Sequence, residues 1–241
     1  MDVAGVRAAS RRGSRCLNIC EPEIVYGVKR RIVLLGPPAS GKGTQAELIQ
    51  KPFGILTTST GAILRAEAKR GTPAGMEIAK IVSKGGLAPD DMVLHLVAGW
   101  LDKSDGSFLF DGFPRTVRQA ERLEVLLCKR QLAIELAVLL EVPDPVIQAR
   151  MLRRLTCSNC GKVISMGRHV RDANDPCPNC GGKLEARADD NLGALARRME
   201  EYREKTVPVA DFYRRRDLLA RVDASRTAEA VFKDVSELIA A

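Results

Sequence analysis

"RIVLLGPPASGKGTQ", residues 31 to 45, passes from an apolar pentad into a glycine-rich turn and out again at helical spacing. Arg31-Ile32-Val33-Leu34-Leu35 is bounded by glycine and reads as a strand buried on both faces, as in a parallel sheet. Lys42 to Gln50 resumes with helical periodicity. Between them, the glycines of Gly36 to Thr44 let several backbone N–H groups curve toward one point without Cβ clashes. The helix that follows adds the positive end of its dipole, so the stretch is suited to a phosphate group. Lys42 can reach β- and γ-phosphates, and a hydroxyl from Thr44 or Ser40 can approach the phosphates or a magnesium ion. The hydroxyl usually follows the lysine directly, whereas here Gly43 intervenes.

Working outward, similar buried runs occur at 108–110, 136–140 and, more weakly, 218–222. Helical patterns fall at 61–69, 75–84, 91–102, 116–130, 145–154, 190–204, 208–216 and 227–240. Strand and helix alternate, which makes the fold class α/β with a mostly parallel sheet. "FLFDGFPRT", residues 108 to 116, puts Asp111 at the carboxyl end of a strand, where a carboxylate can hold magnesium through water. Arg115 follows on a loop and can fork onto a phosphate.

The chain has 241 residues, of which 45% are hydrophobic, enough for a substantial core, and no apolar run is long enough to span a membrane. A net charge of +8 points to an anionic partner, and 4% aromatic residues argue against a base-stacking platform for single strands. A nucleotide is the economical reading. Residues 1 to 29 carry Arg7, Arg11, Arg12 and Arg15 but no long apolar segment, which excludes a secretory signal. Their composition is compatible with an organellar targeting peptide, but they are poor in serine and lack an amphipathic period. They are read as a disordered extension.

Seven cysteines, an odd number, argue against a secreted disulfide framework. Cys157, Cys160, Cys177 and Cys180 form two Cys-x-x-Cys pairs across sixteen intervening residues, the spacing of a zinc ribbon with four thiolates for tetrahedral zinc. All four ligand positions are filled, so the metal is structural. Gly161 and Gly181 follow the pairs and can take the turn that wraps N–H groups around the sulfurs. The segment interrupts the strand–helix alternation and reads as an insertion. His95 and His169 read as structural.

Together, "GPPASGKGTQ", "STGAILR" (59–65), "GGLAPDDMV" (85–93), "DGFPRTVRQ" (111–119) and "RADDN" (187–191), with the cysteine segment between the last two, resemble adenylate kinase of the long, zinc-lid type. The resemblance runs from about residue 31 to the C-terminus. It implies a P-loop three-layer fold with a central parallel sheet, a small helical AMP-binding subdomain and an inserted zinc-ribbon-like lid. The implied domain spans 30–241: a core of 30–58, 89–152 and 191–241, an AMP subdomain of 59–88 and a lid of 153–190. The implied reaction is reversible, magnesium-dependent conversion of ATP and AMP into two ADP by a cytoplasmic monomer, with no nucleic-acid or membrane partner.

By the same resemblance, ATP lies on Gly36, Ala39, Ser40, Gly41, Lys42, Gly43 and Thr44. It meets Arg150 and Arg154 on its phosphates, and Val163, Ile164 and Arg226 near its base. AMP meets Thr60, Arg65, Gly86, Leu87, Ala88, Gly112, Phe113, Pro114, Arg115 and Gln119. Gln119 corresponds to the reader of the adenine edge, since an amide offers a donor and an acceptor together. Arg187 and Arg198 converge on the transferring phosphate and AMP, and the catalytic set is Lys42, Asp111, Arg115, Arg154, Arg187 and Arg198.

Three positions and one segment depart from the family pattern. Ala39 replaces a loop glycine, Ala62 an aspartate, and Leu155 a second arginine, which leaves either Arg153 or Arg154 to meet ATP. "KVISMGRHV" (162–170) lacks the customary aromatics. A UMP- or CMP-directed kinase of the same fold is opposed by Gln119, Thr60 and the full zinc-type lid. A zinc-ribbon nucleic-acid ATPase is opposed by mixed charges and absent aromatics in the cysteine segment.

Overall fold

The computed structural model describes residues 27–83, 88–186 and 192–241. The first elements in chain order are β1 (Arg31–Leu35), α1 (Lys42–Phe53), β2 (Leu56–Ser59), α2 (Thr60–Lys69), α3 (Pro73–Ser83) and α4 (Asp90–Leu101). Next come β3 (Phe108–Asp111), α5 (Val117–Cys128), β4 (Leu136–Glu141) and α6 (Asp144–Leu152). Three short strands, β5 (Arg154–Cys157), β6 (Val163–Ser165) and β7 (Leu184–Ala186), precede α7 (Leu192–Glu201), α8 (Val207–Arg214), β8 (Leu219–Asp223) and α9 (Ala228–Ala240).

The main sheet is five-stranded in the order β2-β3-β1-β4-β8, and every pairing in it is parallel. Ile32 to Leu35 are almost wholly buried, as two-sided packing of a parallel sheet demands. Val33, Leu35, Phe108, Phe110, Ala137 and Leu139 point to one face, where they meet α4, α5 and α8. The alternate residues Ile32, Leu34, Leu109, Leu136, Val138 and Leu140 point to the other, against α1 and α9. The period of two along each strand thus makes three layers from one set of apolar runs.

Strand β2 is absent from the pattern reading because "LTTS" is short and half polar. Its pairing with β3 (Leu56↔Phe108 through Ser59↔Asp111) recruits it to the sheet edge. The expected helices 190–204 and 208–216 are joined by a π-helical turn, Tyr202–Thr206. Pro208, in the first turn of α8, has no N–H to offer, and the wider turn accommodates the change without ending the helix.

Helices α2 and α3 form the small helical subdomain, anchored by Leu64 and Ile78 in the first core. In the insertion, β6-β5-β7 make an antiparallel three-stranded sheet, with Leu155, Ile164 and Leu184 packed on Cys157 and Cys177. Residues 1–26 of the expected extension lie outside the described residues. Lys29, also assigned to it, is docked: its backbone N–H donates to the Ile239 carbonyl and its Nζ to the Leu238 carbonyl, both at 2.8 Å. No described helix is long and apolar enough to cross a membrane.

Candidate active site

The carboxyl ends of β1 and β3 lie side by side, with Leu34 in register with Asp111. The glycine-rich turn begins there. Gly36 has φ +144°, and a Cβ on it would sit 2.7 Å from the Leu140 carbonyl oxygen, so only glycine fits. Helix α1 follows Gly41 with no side chain capping its first N–H groups and no acid in its first turn. That end is open to an anion. The Lys42 ammonium donates to the Gly36 and Pro37 carbonyls at 2.8 Å each, and to Ser40 Oγ at 3.3 Å.

Asp111 approaches from β3: its Oδ2 would lie 3.3 Å from a Cβ built on Gly43. Burial lowers the Lys42 pKa to about 8; Asp111 opposes the shift, and the positive charges of Arg115 and Arg154 add to it. Burial also raises Asp111 above the usual carboxylate range, against the pull of Lys42, Arg115 and Arg65. A carboxylate beside a phosphate-binding loop is an oxygen donor suited to Mg²⁺.

Arginines surround this pair. Arg115 Nε donates to the Gly112 carbonyl at 3.0 Å, and Thr60 Oγ1 donates to the same oxygen at 3.3 Å. Burial lowers the Arg115 pKa, Asp111 opposes, and Arg198 is close enough to lower it further. Arg150 reaches the Ser40, Ser225 and Arg226 carbonyls at 3.3–3.5 Å, which ties α6 to the loop. Arg226 instead pairs with Asp234 and donates to the Asp223 carbonyl at 3.2 Å. Arg154, at the start of β5, is the one whose charge is felt at Lys42, while the Arg153 guanidinium lies beside Gly167. Arg65 folds back over Gly61, one turn earlier in α2.

On the subdomain side, Ile63 and Leu64 of α2 pack against Val93, Leu96 and Val97 of α4, with Thr60 buried beside them. Ala88 is buried, as are Phe113 and Pro114, which are joined by a cis bond. Gln119 is 2% exposed; its Oε1 accepts from the Arg115 N–H and its Nε2 donates to Asp90, both at 2.7 Å. In the insertion, Ile164 is turned into the small core at 1% exposure, so Val163, at 41%, is the side chain offered outward. His169 Nδ1 accepts from the Ser165 N–H at 3.1 Å and closes a turn of the insertion. Gly86, Leu87 and Arg187 lie outside the described residues.

The ligand atoms of Cys157, Cys160, Cys177 and Cys180 all lie within 4.8 Å of one another. Two of the sulfur pairs, Cys157–Cys180 and Cys160–Cys177, are 3.5 and 3.8 Å apart. Sulfurs at about 2.3 Å from a tetrahedral metal stand roughly 3.8 Å apart, so the donor set fits. The two halves match: the Gly161 and Gly181 N–H groups close onto the Cys157 and Cys177 carbonyls, and the Cys157 and Cys177 N–H groups donate to Lys162 and Gly182. The Cys160 N–H holds the Cys157 thiol below its usual range, and the Lys162 N–H draws Cys160 down to about 6. Against the pull of the Gly182 N–H, the Cys160 and Cys157 sulfurs push Cys180 up to about 11. A Cβ on Gly182 would stand 2.9 Å from Cys157 Sγ, so the second turn requires glycine there.

The sequence pattern of the adenylate kinase family matches residues 34–218. The chain is 37% identical to the adenylate kinase of Clostridium tetani over 212 residues, covering 87% of this chain and 98% of that protein. With the adenylate kinases of Geobacillus sp. strain WCH70 and Gloeobacter violaceus it shares 38% identity, over 210 and 220 residues. These alignments cover 86% and 87% of this chain, and 97% and 98% of those proteins. The chain belongs to the adenylate kinase family.

The enzyme is therefore a nucleoside monophosphate kinase. Its departures from the family pattern now have physical content. Ala39 sits in the left-handed region at φ +56°, and its methyl packs against the cluster of Ile147, Met151, Leu195 and Met199. At Ala62 the backbone N–H is met by the Ser59 hydroxyl at 3.0 Å, so α2 is capped without the missing aspartate. Two residues to which sequence reasoning assigned no role touch the site. Asp90, within the quoted "GGLAPDDMV", holds Gln119 and could have been suspected from its place at a helix start. Thr206 donates to the Arg115 carbonyl at 3.0 Å from the end of the π-helical turn, where Pro208 is the one local signal of an irregularity.

Proposed function

We propose that the enzyme catalyses reversible, magnesium-dependent phosphoryl transfer between ATP and AMP to give two ADP, in the cytoplasm. The observation that carries this reading is the meeting of Lys42, Asp111, Arg115 and Arg154 at the phosphate-binding turn. The ATP phosphates would sit on the N-terminus of α1. There the Lys42 ammonium would exchange the Gly36 and Pro37 carbonyls for phosphate oxygens. An AMP α-phosphate oxygen attacks the γ-phosphorus in line while the bond to the β–γ bridging oxygen breaks. No base is required at that oxygen, so the histidines have no part in the step.

What this protein must supply is positioning and charge. Two like charges 4 Å apart repel by about 4 kcal/mol at an effective dielectric of 20, and two polyphosphates bring several such pairs together. Arg150 and Arg154 would neutralise the ATP side, and Arg65, Arg115, Arg187 and Arg198 the AMP and transferring phosphates. Asp111 would hold Mg²⁺ through water; the ion supplies further neutralisation of the phosphates. The four cysteines would hold zinc as a structural cross-link of the lid. Arg154 rides on the first strand of that lid, so closure would bring charge and expel water together. The cytoplasmic assignment is supported by cysteines kept as thiols at metal-binding spacing.

A coupled assay with magnesium-ATP and each of AMP, UMP, CMP and GMP as acceptor tests the reading. Rapid ADP formation with AMP is expected. Preference for UMP or CMP would overturn the base assignment, and no turnover with any acceptor would overturn the reaction.

A further inference from the structure

Gln119 is held from both sides by groups whose hydrogen-bonding sense cannot be exchanged. On one side the Arg115 backbone N–H, which can only donate, meets Oε1 at 2.7 Å. On the other the Asp90 carboxylate meets Nε2 at 2.7 Å and also accepts from Thr116 Oγ1 at 3.2 Å. Thr116 in turn caps α5 by accepting the Gln119 N–H at 3.0 Å. Rotating the amide by half a turn would set its NH₂ against a donor and its oxygen against a carboxylate. Both contacts would turn from attractive to repulsive, in a side chain 2% exposed. The orientation of this amide is therefore fixed by its surroundings.

We infer that Asp90 is a positioning residue for acceptor-base specificity: it locks the Gln119 amide in the one orientation that matches an adenine edge. The inference rests on the reading of Gln119 as the base reader and adds what sets its sense. After its two internal bonds, the amide keeps one N–H and one oxygen lone pair. That pair matches a base edge with an exocyclic amino donor beside a ring-nitrogen acceptor. It mismatches a 6-oxo purine, whose edge has an acceptor beside an N–H donor. Placement agrees: Asp90, Val93 and Val97 recur at helical spacing along α4, and Val93 and Val97 share a packed core with Leu64 of α2, the helix that carries Arg65.

Inosine monophosphate is the sharpest probe, because it differs from AMP by this edge and little else. In the steady-state assay, Asp90→Ala should lower the ratio of kcat/KM for AMP over IMP by about tenfold, the worth of one hydrogen bond to a charged group. The loss should fall mainly on KM for AMP. Asp90→Asn keeps an acceptor for Nε2 but removes the charge from the start of α4, and should stay within about threefold of wild type. Equal collapse of the ratio in both variants would mean a helix-end charge role and overturn the inference. So would an unchanged ratio in Asp90→Ala when Gln119→Ala abolishes discrimination. An unchanged ratio in Gln119→Ala would instead overturn the base reading itself.

Discussion

Lys42 shows how one buried charge sets the conditions for binding. Burial strips the ammonium of hydration and lowers its pKa to about 8 in the nucleotide-free enzyme. A polyphosphate would favour the charged form and raise the value again. Because the bound state holds a proton that the free state has partly lost above pH 8, ATP affinity should fall as pH rises through about 8. Calorimetry at pH 8.5 in two buffers of different ionisation enthalpy should show net proton uptake on ATP binding. Lys42→Met should abolish both this uptake and turnover; uptake that survives the substitution would place the proton elsewhere. Ala39 is the opposite kind of residue, one whose side chain packs into the protein. A left-handed conformation costs an L-residue about 1–2 kcal/mol. Packing its partly buried methyl against Ile147, Met151, Leu195 and Met199 offsets part of that, by less than the ~0.8 kcal/mol of a fully buried carbon. The substitution binds the phosphate turn to α6 and α7, the helices that carry Arg150 and Arg198.

Among elements, the inserted sheet has the least to hold it. Its strands are three or four residues long, and two of its five buried core residues are the metal-binding cysteines Cys157 and Cys177. A core of that size cannot stabilise a sheet unaided, whereas metal binding worth about 10–16 kcal/mol in isolated zinc-finger peptides can. Cys157→Ser should therefore expose the amides of β5 to β7 to rapid hydrogen exchange while the five-stranded sheet stays protected. It should also raise KM for ATP by way of Arg154. Retained metal content and unchanged exchange in this variant would refute the structural role. The cysteine spacing is readable in the sequence because each pair is local. The π-helical turn that carries Thr206 to Arg115 is not, because Pro208 marks a break but nothing local says that the helix widens there instead of ending.

At the scale of the whole molecule, two ion pairs among the described residues join the lid to the core. Lys162 meets Glu47 of α1 at 3.6 Å, and Arg168 meets Glu229 of α9 at 3.0 Å. Both are solvent-exposed, so each should contribute no more than about 0.5 kcal/mol and be screened by salt. Arg168→Ala should raise KM for ATP about twofold at low ionic strength, with the difference gone near 0.5 M salt. Glu229→Ala should do the same, and the double variant no more than either alone. A full additive effect would show that the two side chains act separately.

The sequence by itself determined the phosphate-binding turn, the alternation of buried strands with helices, and the cysteine cluster. Each of these is written in neighbouring residues or a short period: glycines that permit one curve, apolar runs that require two-sided burial, and cysteine pairs one turn wide. Tertiary structure alone decided the rest. The edge strand Leu56–Ser59 has no apolar signal and exists because β3 offers it a ladder. Arg153 closes α6 while Arg154 opens β5, and the change of backbone between them leaves the charge of Arg154 felt at Lys42 and the Arg153 guanidinium beside Gly167. Asp90 and Gln119 are 29 residues apart, and nothing local pairs them until the packed chain brings Gln119 to the first residue of α4. Hydrogen-bonding sense depends on which groups face each other across space, and only the packed chain brings those groups together.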